Sequence, residues 1–306
     1  MLFLGAFHYG VWLCQIPLLL ALLDVLVPLK SPPHGYWAQW ANLCDVSKGE
    51  EQYNDAEVIV EGEGGYDRSK NYLLCYMPHS LYMYCLWTIR RYFIDKHGIS
   101  VFFTGADVIF QVPIWRRIMT WWGCTRVSAE AMKKTLQIPF PHNVLLLSPD
   151  GIAGMFYGIE HEQCVLHRRR GFCRIALQTG ASLVPCYILG ANELYFRKFG
   201  PASLAAKISH NLHFSMVYWT GRFGVPFGFL PRPQKLVVAL GSPIDVVKTE
   251  QPTKEEIDAL HEKFTVAVKM LFDKHKHRMG REWVGKRDRL YLETEQPPSH
   301  MTKKVD

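Results

Sequence analysis

Apolar and polar positions alternate in blocks along residues 70–276. Short apolar runs bounded by Gly, Pro or polar residues are typical of buried strands, whereas apolar residues spaced three and four apart indicate amphipathic helices. Strands are predicted at 71–76, 100–103, 143–147, 183–189 and 235–240, and helices at 81–96, 112–122, 129–136, 170–178 and 253–276. Strands that alternate with helices in this way predict an α/β fold, in which helices flank a mixed and largely parallel sheet.

Residues 1–30 differ from the rest of the chain because they are almost entirely apolar. Their length matches the thickness of a bilayer core, about 30 Å, so they are predicted to be embedded in a membrane as an anchor. Pro17 and Asp24 interrupt the apolar run, and a re-entrant hairpin fits equally well. A buried helix of a soluble core is the third alternative.

The other segments outside the alternating blocks are assigned by composition. Residues 31–69 are polar and predict an irregular connector that contains one strand, at 58–61. Residues 196–232 predict an exposed apolar loop with a short helix, which lies either against a membrane or an acyl chain, or on an ordinary protein surface. Residues 277–306 predict a basic tail that either touches a membrane surface or is solvated.

The overall composition and charge narrow the class of partner. Apolar residues make up 48% of the chain, which is enough for a large core and argues against disorder. The formal charge is +7 and the pI is about 8.9, so an anionic partner is expected. An anionic membrane face or a phosphate-bearing cofactor ranks above nucleic acid, because no nucleic-acid motif with interleaved aromatics is present.

No two of the eight cysteines have the spacing C-x-x-C, and several lie within apolar runs. This usage indicates reduced, buried thiols in a chain that faces the cytosol, not a disulfide framework. No spacing of His, Cys and Asp predicts a metal site.

One ionisable residue, His79, lies between the predicted strand 71–76 and the predicted helix 81–96. Open α/β sheets place their chemistry at such strand-to-helix turns. The positive end of the following helix is expected to disfavour imidazolium, which leaves a neutral ring that can accept a proton. The alternative is a histidine that caps the helix or packs in the core.

Three further stretches carry polar or cationic groups beside predicted elements. Residues 148–156 form a Gly-bearing turn after a strand, and Asn192 and Glu193 follow another strand as a polar edge. The arginine run 168–170 precedes a helix, where guanidinium forks and helix N–H groups together suit phosphate. A solvated basic loop and a simple turn are the alternatives.

Together these stretches resemble the diacylglycerol acyltransferase type 2 family, which includes monoacylglycerol and wax-alcohol acyltransferases. The resemblance runs from about residue 70 to residue 276 and is densest at 169–195, which matches the family pattern R-x-G-F…A…G…LVP-x-Y…G-x-N-E-x-Y. Segments 110–128 and 230–244 are similar as well. The resemblance implies a glycerolipid-acyltransferase-like sheet, with residues 70–276 as the acyltransferase domain.

Two motifs depart from the family pattern. The family's His-Pro-His-Gly stands here as Met-Pro-His-Ser, so that Met77 and Ser80 replace a histidine and a glycine while His79 is retained. The family's Pro-Gly-Gly-x-x-Glu turn falls on residues 149–154, where Asp150 replaces a glycine and Gly154 replaces the glutamate.

The resemblance implies that an acyl-CoA thioester is attacked by a hydroxyl of an acylglycerol or a long-chain alcohol. His79 would be the general base. Related glycerolipid acyltransferases have the orienting acid four residues later, where this chain has Met83, so Asp150 and Glu193 are the candidates by location. Arg169 and Arg170 would bind the CoA phosphates. The most direct expectation is the conversion of diacylglycerol into triacylglycerol.

The same motifs assign Gly151, Gly171, Phe172 and Asn192 to the acyl-CoA site, with backbone N–H groups near Gly151 or Gly171 stabilising the thioester oxyanion. Acyl-CoA is a co-substrate, and no permanently bound cofactor or metal is expected. Membrane lipid is an expected partner, nucleic acid is not, and a homo-oligomer is left open.

The chain ends with Lys303 and Lys304 at the fourth and third positions from its end. This spacing resembles a dilysine endoplasmic-reticulum retrieval signal, although chance explains it equally well. The expected location is the endoplasmic reticulum membrane, with the catalytic part facing the cytosol. Two rival hypotheses remain: a catalytically impaired family member that binds lipid or a partner protein, and a soluble enzyme with an apolar N-terminal helix.

Overall fold

One seven-stranded sheet organises the part of the chain that the computed structural model describes, namely residues 19–21, 23–30, 32, 34–62, 65–138, 143–212 and 215–297. The strands are β1 Glu57–Val60, β2 Tyr72–Met77, β3 Ser100–Gly105, β4 Cys124–Arg126, β5 Asn143–Leu147, β6 Gln163–Cys164, β7 Ser182–Leu189, β8 Phe196–Arg197, β9 Trp219–Thr220, β10 Val237–Leu240 and β11 Tyr291–Leu292. The helices are α1 Ala38–Leu43, α2 Ser47–Asn54, α3 Leu86–His97, α4 Trp115–Trp121, α5 Ala129–Leu136, α6 Gly151–Gly154, α7 Gly171–Thr179, α8 Leu204–Leu212, α9 Lys254–His275 and α10 Arg281–Lys286.

The strand order is β1-β10-β7-β2-β5-β3-β4. Strands β7, β2, β5, β3 and β4 are mutually parallel, while β10 runs antiparallel to β7. In the centre, Leu74 of β2 pairs with Leu146 of β5 on one side and with Val184 of β7 on the other. The turns that follow these three strands therefore lie side by side at one edge of the sheet, where α/β enzymes bind ligands.

Both faces of the sheet are covered, which explains why its central strands are apolar at nearly every position. Alternate residues of β2 point to opposite faces: Leu73 and Met77 belong to one apolar cluster, and Leu74 and Tyr76 belong to the other. Helices α5, α7 and α9 contribute to the first cluster, whereas α3 and α4 contribute to the second. The predicted mixed α/β sheet flanked by helices is confirmed.

Local sequence signals predicted several element boundaries correctly. Strand β5 covers 143–147 as expected, and the Ser128 side chain caps α5 by accepting a hydrogen bond from the Ala131 N–H at 3.4 Å. Thr253 and Glu256 form a capping box at the start of α9. Gly180 ends α7 with a positive φ of 73°, a conformation that glycine adopts at low cost.

Two predicted helices are shorter in the structure. The helix expected from residue 81 begins only at Leu86, because Cys85 has a left-handed φ of 65° and residues 81–85 form a turn. His79 therefore does not lie at a helix N-terminus, and that part of the argument for its neutral ring is wrong. The helix expected at 112–122 is α4 alone, preceded by the 3₁₀ turn Asp107–Gln111.

The predicted connector and the predicted basic tail are both folded onto the domain. Within residues 31–69, helices α1 and α2 precede the edge strand β1. After residue 277, α10 follows and β11 pairs with β6. Trp283 and Leu290 of this second segment are buried in the cluster that α9 covers, so their apolar side chains explain why the tail packs.

The N-terminal segment is described only in part. Residues 19–21 and 23–26 are helical, and Asp24 accepts hydrogen bonds from the Arg116 Nε at 2.8 Å and from the Ile114 N–H at 3.0 Å. In the described ranges, no helix is both long and apolar enough to cross a membrane. The predicted anchor or hairpin falls mainly on residues 1–18, which lie outside the described residues.

Candidate active site

A cavity of about 1080 Å³ opens at the edge of the sheet where β2, β5 and β3 end. His79 contributes to its wall from the turn after β2, and Gly151 from the turn after β5. Arg169 and Gly171 line it as well, and so does His210 of α8. The structure thus brings together the predicted base and the predicted anion-binding groups.

The ring of His79 is held in one tautomer by its neighbour. Its Nδ1 lies 3.1 Å from the carbonyl oxygen of Ser80. Because a carbonyl can only accept a hydrogen bond, Nδ1 carries the proton in the neutral ring, and Nε2 keeps a free lone pair. His79 is partly exposed and contributes to the cavity wall.

Ser80 fixes the turn that carries His79. Its φ is +52°, a conformation in which glycine is the least strained residue. The Ser80 hydroxyl donates a hydrogen bond to the Ala191 carbonyl at 2.7 Å, which ties the turn after β2 to the turn after β7. This bond compensates for the strain that a serine adds where the family pattern has glycine.

Asp150 also fixes the turn that carries His79. Its carboxylate is fully buried, and Oδ2 accepts a hydrogen bond from the backbone N–H of His79 at 3.0 Å. Oδ1 accepts one from the Ser148 hydroxyl at 2.5 Å. Burial raises the pKa of Asp150, and the His79 ring and the Ser148 hydroxyl oppose that shift. The carboxylate therefore contacts the His79 backbone, not its imidazole.

The arginine run 168–170 is divided in its roles. Arg170 donates from Nε to Asp258 of α9 at 2.7 Å, so its guanidinium is already partnered. Arg168 and Arg169 are exposed on the cavity, and neither forms an ion pair with another described residue. Helix α7 begins next to them without a side-chain cap, which leaves its first N–H groups without a side-chain acceptor.

Glu293 fixes the backbone of residues 166–170, called the arginine loop below. Its carboxylate accepts hydrogen bonds from the backbone N–H groups of Leu166, His167 and Arg168, at 2.9, 3.0 and 3.3 Å. Such a group of converging N–H donors is an anion-binding concavity, here filled by the chain's own carboxylate. The residue comes from beyond the region that resembles the family, and no local sequence signal indicated it.

Glu193 and Asn192 are placed away from the cavity wall. Glu193 accepts hydrogen bonds from Trp283 Nε1 at 2.5 Å and from Arg287 Nε at 3.1 Å. Asn192 Nδ2 donates to Glu162 at 3.1 Å, and Glu162 also pairs with Arg287 at 2.8 Å. These contacts form a buried charge cluster that joins the turn after β7 to α10. The structure does not bring Glu193 or Asn192 to His79 or to the arginines.

Tyr76 is a cavity residue that the sequence analysis did not single out. Its hydroxyl lies beside Ser148 but has no hydrogen-bond partner of acceptable geometry in the described part of the chain. Burial raises the pKa of Tyr76 well above its usual range, so the hydroxyl stays a donor. The alternation of side chains along β2 places Tyr76 on the face of the sheet opposite Met77, so its side of the sheet could have been predicted from the sequence.

The cavity has two kinds of surface. Arg168 and Arg169 form a cationic part, while Met83, Thr104 and Phe156 line the remainder with mainly apolar atoms. His79 therefore lines the same cavity as a cationic surface and a mainly apolar one. This combination fits the acyltransferase class of enzymes, whose donor carries phosphates and an acyl chain.

Sequence comparison identifies the family. A family model described as Diacylglycerol acyltransferase matches residues 7–290. The chain therefore belongs to the diacylglycerol acyltransferase family and is an acyltransferase.

Three curated relatives illustrate the similarity. Diacylglycerol O-acyltransferase 2 of Dictyostelium discoideum is 30% identical over 69% of this chain and 68% of its own length. Diacylglycerol O-acyltransferase 2A of Umbelopsis ramanniana is 31% identical over 87% of this chain and 80% of its own. Human 2-acylglycerol O-acyltransferase 3 is 26% identical over 80% and 76%.

Among solved structures, the 1-acyl-sn-glycerophosphate acyltransferase PlsC from Thermotoga maritima aligns with a TM-score of 0.43 and 15% identity. The alignment covers 77% of this chain and 82% of that one.

Proposed function

We propose that this protein transfers an acyl group from acyl-CoA to the hydroxyl of a neutral lipid, with diacylglycerol as the acceptor and triacylglycerol as the product. The observation that carries the proposal is that His79, whose Nδ1 is engaged by the Ser80 carbonyl, lines the same cavity as Arg168 and Arg169. The relatives named above support the acceptor class, since their names are those of diacylglycerol and 2-acylglycerol O-acyltransferases.

In the proposed reaction, the acceptor hydroxyl attacks the thioester carbonyl while Nε2 of His79 takes its proton. A tetrahedral oxyanion forms, and backbone N–H groups of the turn at Gly151 stabilise it. The intermediate then collapses by breaking the C–S bond, and the proton on His79 passes to the leaving sulfur. The products are the ester and free CoA, and the histidine returns to its neutral form.

Asp150 acts in this scheme as a positioning residue. It holds the His79 backbone, and Ser80 fixes the same turn from the other side. Both contacts hold the turn that carries the ring. Neither is a hydrogen bond between a carboxylate and a ring nitrogen of His79. We assign Glu193 to the buried charge cluster and not to this role.

The CoA part of the donor is proposed to lie along the cationic surface. Arg168 and Arg169 are free to bond phosphate oxygens in pairs, and the start of α7 at Gly171 and Phe172 adds N–H donors. Arg170 contributes through its ion pair with Asp258, which fixes the loop, more than through direct contact. We place the protein at the endoplasmic reticulum membrane with this cavity on the cytosolic side, where acyl-CoA is available.

The alternative is a catalytically impaired member that binds lipid or a partner protein, and the replacement of a family histidine by Met77 favours it. However, Met77 is fully buried in the apolar cluster that α9 covers, and it is not part of the cavity wall. The replacement therefore removes no polar group from the cavity. For this reason the active enzyme is the stronger of the two proposals.

The test is acyl transfer from labelled oleoyl-CoA by membranes that contain this chain, with diacylglycerol, monoacylglycerol and long-chain alcohols offered separately. The variant is His79→Ala, which removes the proton acceptor. General acid–base catalysis typically contributes about 10²–10⁴-fold, so a loss of that order is expected. The matched control is His277→Ala, because His277 is exposed and lies in the 3₁₀ turn Lys276–Met279.

Triacylglycerol formed by the parent and by His277→Ala, but not by His79→Ala, is the expected result. An ester formed only from monoacylglycerol or alcohol would correct the acceptor and keep the mechanism. Absence of any ester from parent protein that is folded and membrane-associated would overturn the proposal in favour of the lipid-binding alternative. Equal activity of parent and His79→Ala would overturn the role of His79.

A further inference from the structure

An unusually exposed aromatic segment, residues 222–230, follows β9. Phe223 and Phe229 are 73% and 79% exposed, and the apolar side chains between them and next to them are about half exposed. Those further side chains are Val225, Phe227 and Leu230. Burying a large apolar side chain is worth about 1.5–3 kcal/mol, so this segment, called the aromatic loop below, forgoes considerable stabilisation in water.

The aromatic loop is held in this conformation by hydrogen bonds. The N–H of Arg222 donates to the Leu230 carbonyl at 3.0 Å, which closes the loop at its base. The Trp219 ring N–H donates to the Gly228 carbonyl at 3.1 Å, and the Tyr195 hydroxyl donates to the Phe229 carbonyl at 2.5 Å. The exposed rings are therefore presented by a fixed backbone and are not the tip of an unconstrained loop.

The chain segment that carries the aromatic loop has charges of one sign. Residues 194–244 contain no Asp or Glu. Lys198, Arg222 and Arg232 are exposed, and none of the three forms an ion pair with any described residue. The Arg222 guanidinium lies 5.5 Å from the ring centre of Phe223. Protruding aromatic side chains beside unpaired cations match the interface of a bilayer, where rings enter the acyl region and cations meet lipid phosphates.

The aromatic loop also lies next to the turn after β2 that carries His79. The ring of Tyr82, three residues after His79, packs against Phe229, Trp219 and Tyr195 with centroid separations of 6.2, 6.0 and 5.4 Å. A bilayer in contact with the loop would therefore lie close to the side of the cavity that Met83 lines. This position suits an acceptor that is dissolved in the membrane.

We propose that the aromatic loop inserts its phenylalanines into the interfacial region of a bilayer that contains anionic lipid, with Lys198, Arg222 and Arg232 contacting the lipid phosphates. The insertion is a property of this surface and does not require the chemistry proposed for His79. It adds a second, sequence-distant contact to whatever residues 1–30 make with a membrane.

The experiment measures depth at single labelled positions in the full chain. Cys14→Ser and Cys44→Ser remove the N-terminal thiol and the partly exposed one, and the other cysteines are buried. Burial raises the pKa of the remaining thiols and keeps them unreactive; these are Cys75, Cys85, Cys124, Cys164, Cys173 and Cys186. A nitrobenzoxadiazole label is then attached at Phe229→Cys, and separately at Phe223→Cys.

The matched control is Met270→Cys on α9, because Met270 is an apolar side chain of similar exposure, 65%. Helix α9 covers the other face of the sheet and carries charges of both signs. Each labelled protein is reconstituted into vesicles of phosphatidylcholine with about one quarter phosphatidylserine, with and without lipids that carry a shallow doxyl quencher.

Quenching at positions 223 and 229 that exceeds quenching at 270 severalfold, and that falls when Arg222→Gln and Arg232→Gln are added, is the expected result. Equal quenching at all three positions, whether strong or weak, would overturn the proposal. A blue-shifted label at 229 without lipid quenching would overturn it as well, because protein such as residues 1–18 or a second copy would then cover the loop. The two loop positions test the same surface independently if one variant does not fold.

Discussion

The carboxylate of Asp150 occupies the space that a side chain at Gly154 would need. A Cβ atom built at residue 154 would lie 2.5 Å from Cγ of Asp150 and closer still to Oδ2. In the family pattern these positions hold a glycine and a glutamate, so the acidic residue and the glycine have exchanged places in this chain. The two departures are coupled, because the Asp150 side chain in this position leaves no room for a Cβ at residue 154.

Gly154→Glu alone should therefore be strongly destabilising, by about 3 kcal/mol or more, since it combines overpacking with a second buried carboxylate. Asp150→Gly alone leaves the His79 N–H and the Ser148 hydroxyl without a partner, at a cost of about 1–3 kcal/mol. The double variant should be more stable than the sum predicts, with a coupling of about 1–3 kcal/mol. Denaturant unfolding of the four proteins measures this cycle. Additive effects would show that the two positions are independent.

Removal of the unpartnered Tyr76 hydroxyl should affect substrate binding but not folding. Tyr76→Phe breaks no hydrogen bond of good geometry in the described part of the chain, so stability should stay within about 1 kcal/mol of the parent. If the hydroxyl bonds the acceptor lipid, its loss should raise the acceptor KM about fivefold, which corresponds to about 1 kcal/mol. Steady-state kinetics with varied acceptor and thermal unfolding give the two numbers.

Tyr66→Phe is the matched control for that experiment. Its buried hydroxyl donates to the Gly241 carbonyl at 3.4 Å, away from the cavity wall. The control should lose some stability and keep its KM, which is the reverse of the Tyr76 result. An unchanged acceptor KM in Tyr76→Phe would remove the hydroxyl from the binding site.

Glu293→Gln should loosen the arginine loop. The amide keeps one accepting oxygen and turns an NH₂ group towards N–H donors, so at least one of the three bonds to the loop is lost. We expect a loss of about 1–2 kcal/mol in stability and a rise in the KM for acyl-CoA of about tenfold or less, with little change in kcat. Initial rates with varied acyl-CoA test this, and Glu282→Gln on the exposed face of α10 is the control. An unchanged KM for acyl-CoA would contradict the anchoring role.

Glu50 should make the protein less stable as the pH rises towards neutrality. Burial raises the pKa of this carboxyl from 4.5 to about 7, and the Thr88 hydroxyl and N–H partly oppose that shift. The unfolded chain releases the proton from about pH 4.5, whereas the folded chain keeps it until about pH 7. The free energy of unfolding therefore falls through this window and is level above it.

Glu50→Gln removes the ionisation and keeps an oxygen that Thr88 can donate to. It should match the parent below about pH 4.5 and be more stable by about 3 kcal/mol near pH 8. Thermal unfolding across this range is the measurement, and the exposed neighbour Glu51 supplies the control variant Glu51→Gln. A parallel pH dependence in the parent and in Glu50→Gln would rule out Glu50 as its source.

The sequence located the features that depend on short stretches of chain. The apolar run of β2 and the turn at His79 could be identified from a few neighbouring residues, and the same holds for the arginine run before α7. The largely parallel direction of the strands then followed from their alternation with helices. These inferences use only local periodicity and general rules of sheet topology.

The structure added the contacts that join distant segments. Glu193 was predicted to be near the base because it follows a central strand, but Arg287 and Trp283 bind it from more than eighty residues further along. Nothing in the sequence near Arg287 or Trp283 predicts that they pair with Glu193. Likewise, the helix was predicted to begin at residue 81 because apolar and aromatic residues continue through residues 81–85. In the structure these residues form a turn, and the helix begins only after Cys85, whose φ is left-handed.

The buried charge cluster around Glu162 determines which fragments of this protein can be produced. A fragment cut after α9 would lack Arg287 and leave the carboxylates of Glu162 and Glu193 without their cation, and removing one partner of a buried pair costs about 3–5 kcal/mol. It would also lack Glu293 and release the arginine loop. A recombinant catalytic unit should therefore extend through residue 295, and a truncation at 276 is expected to be insoluble even though it retains His79.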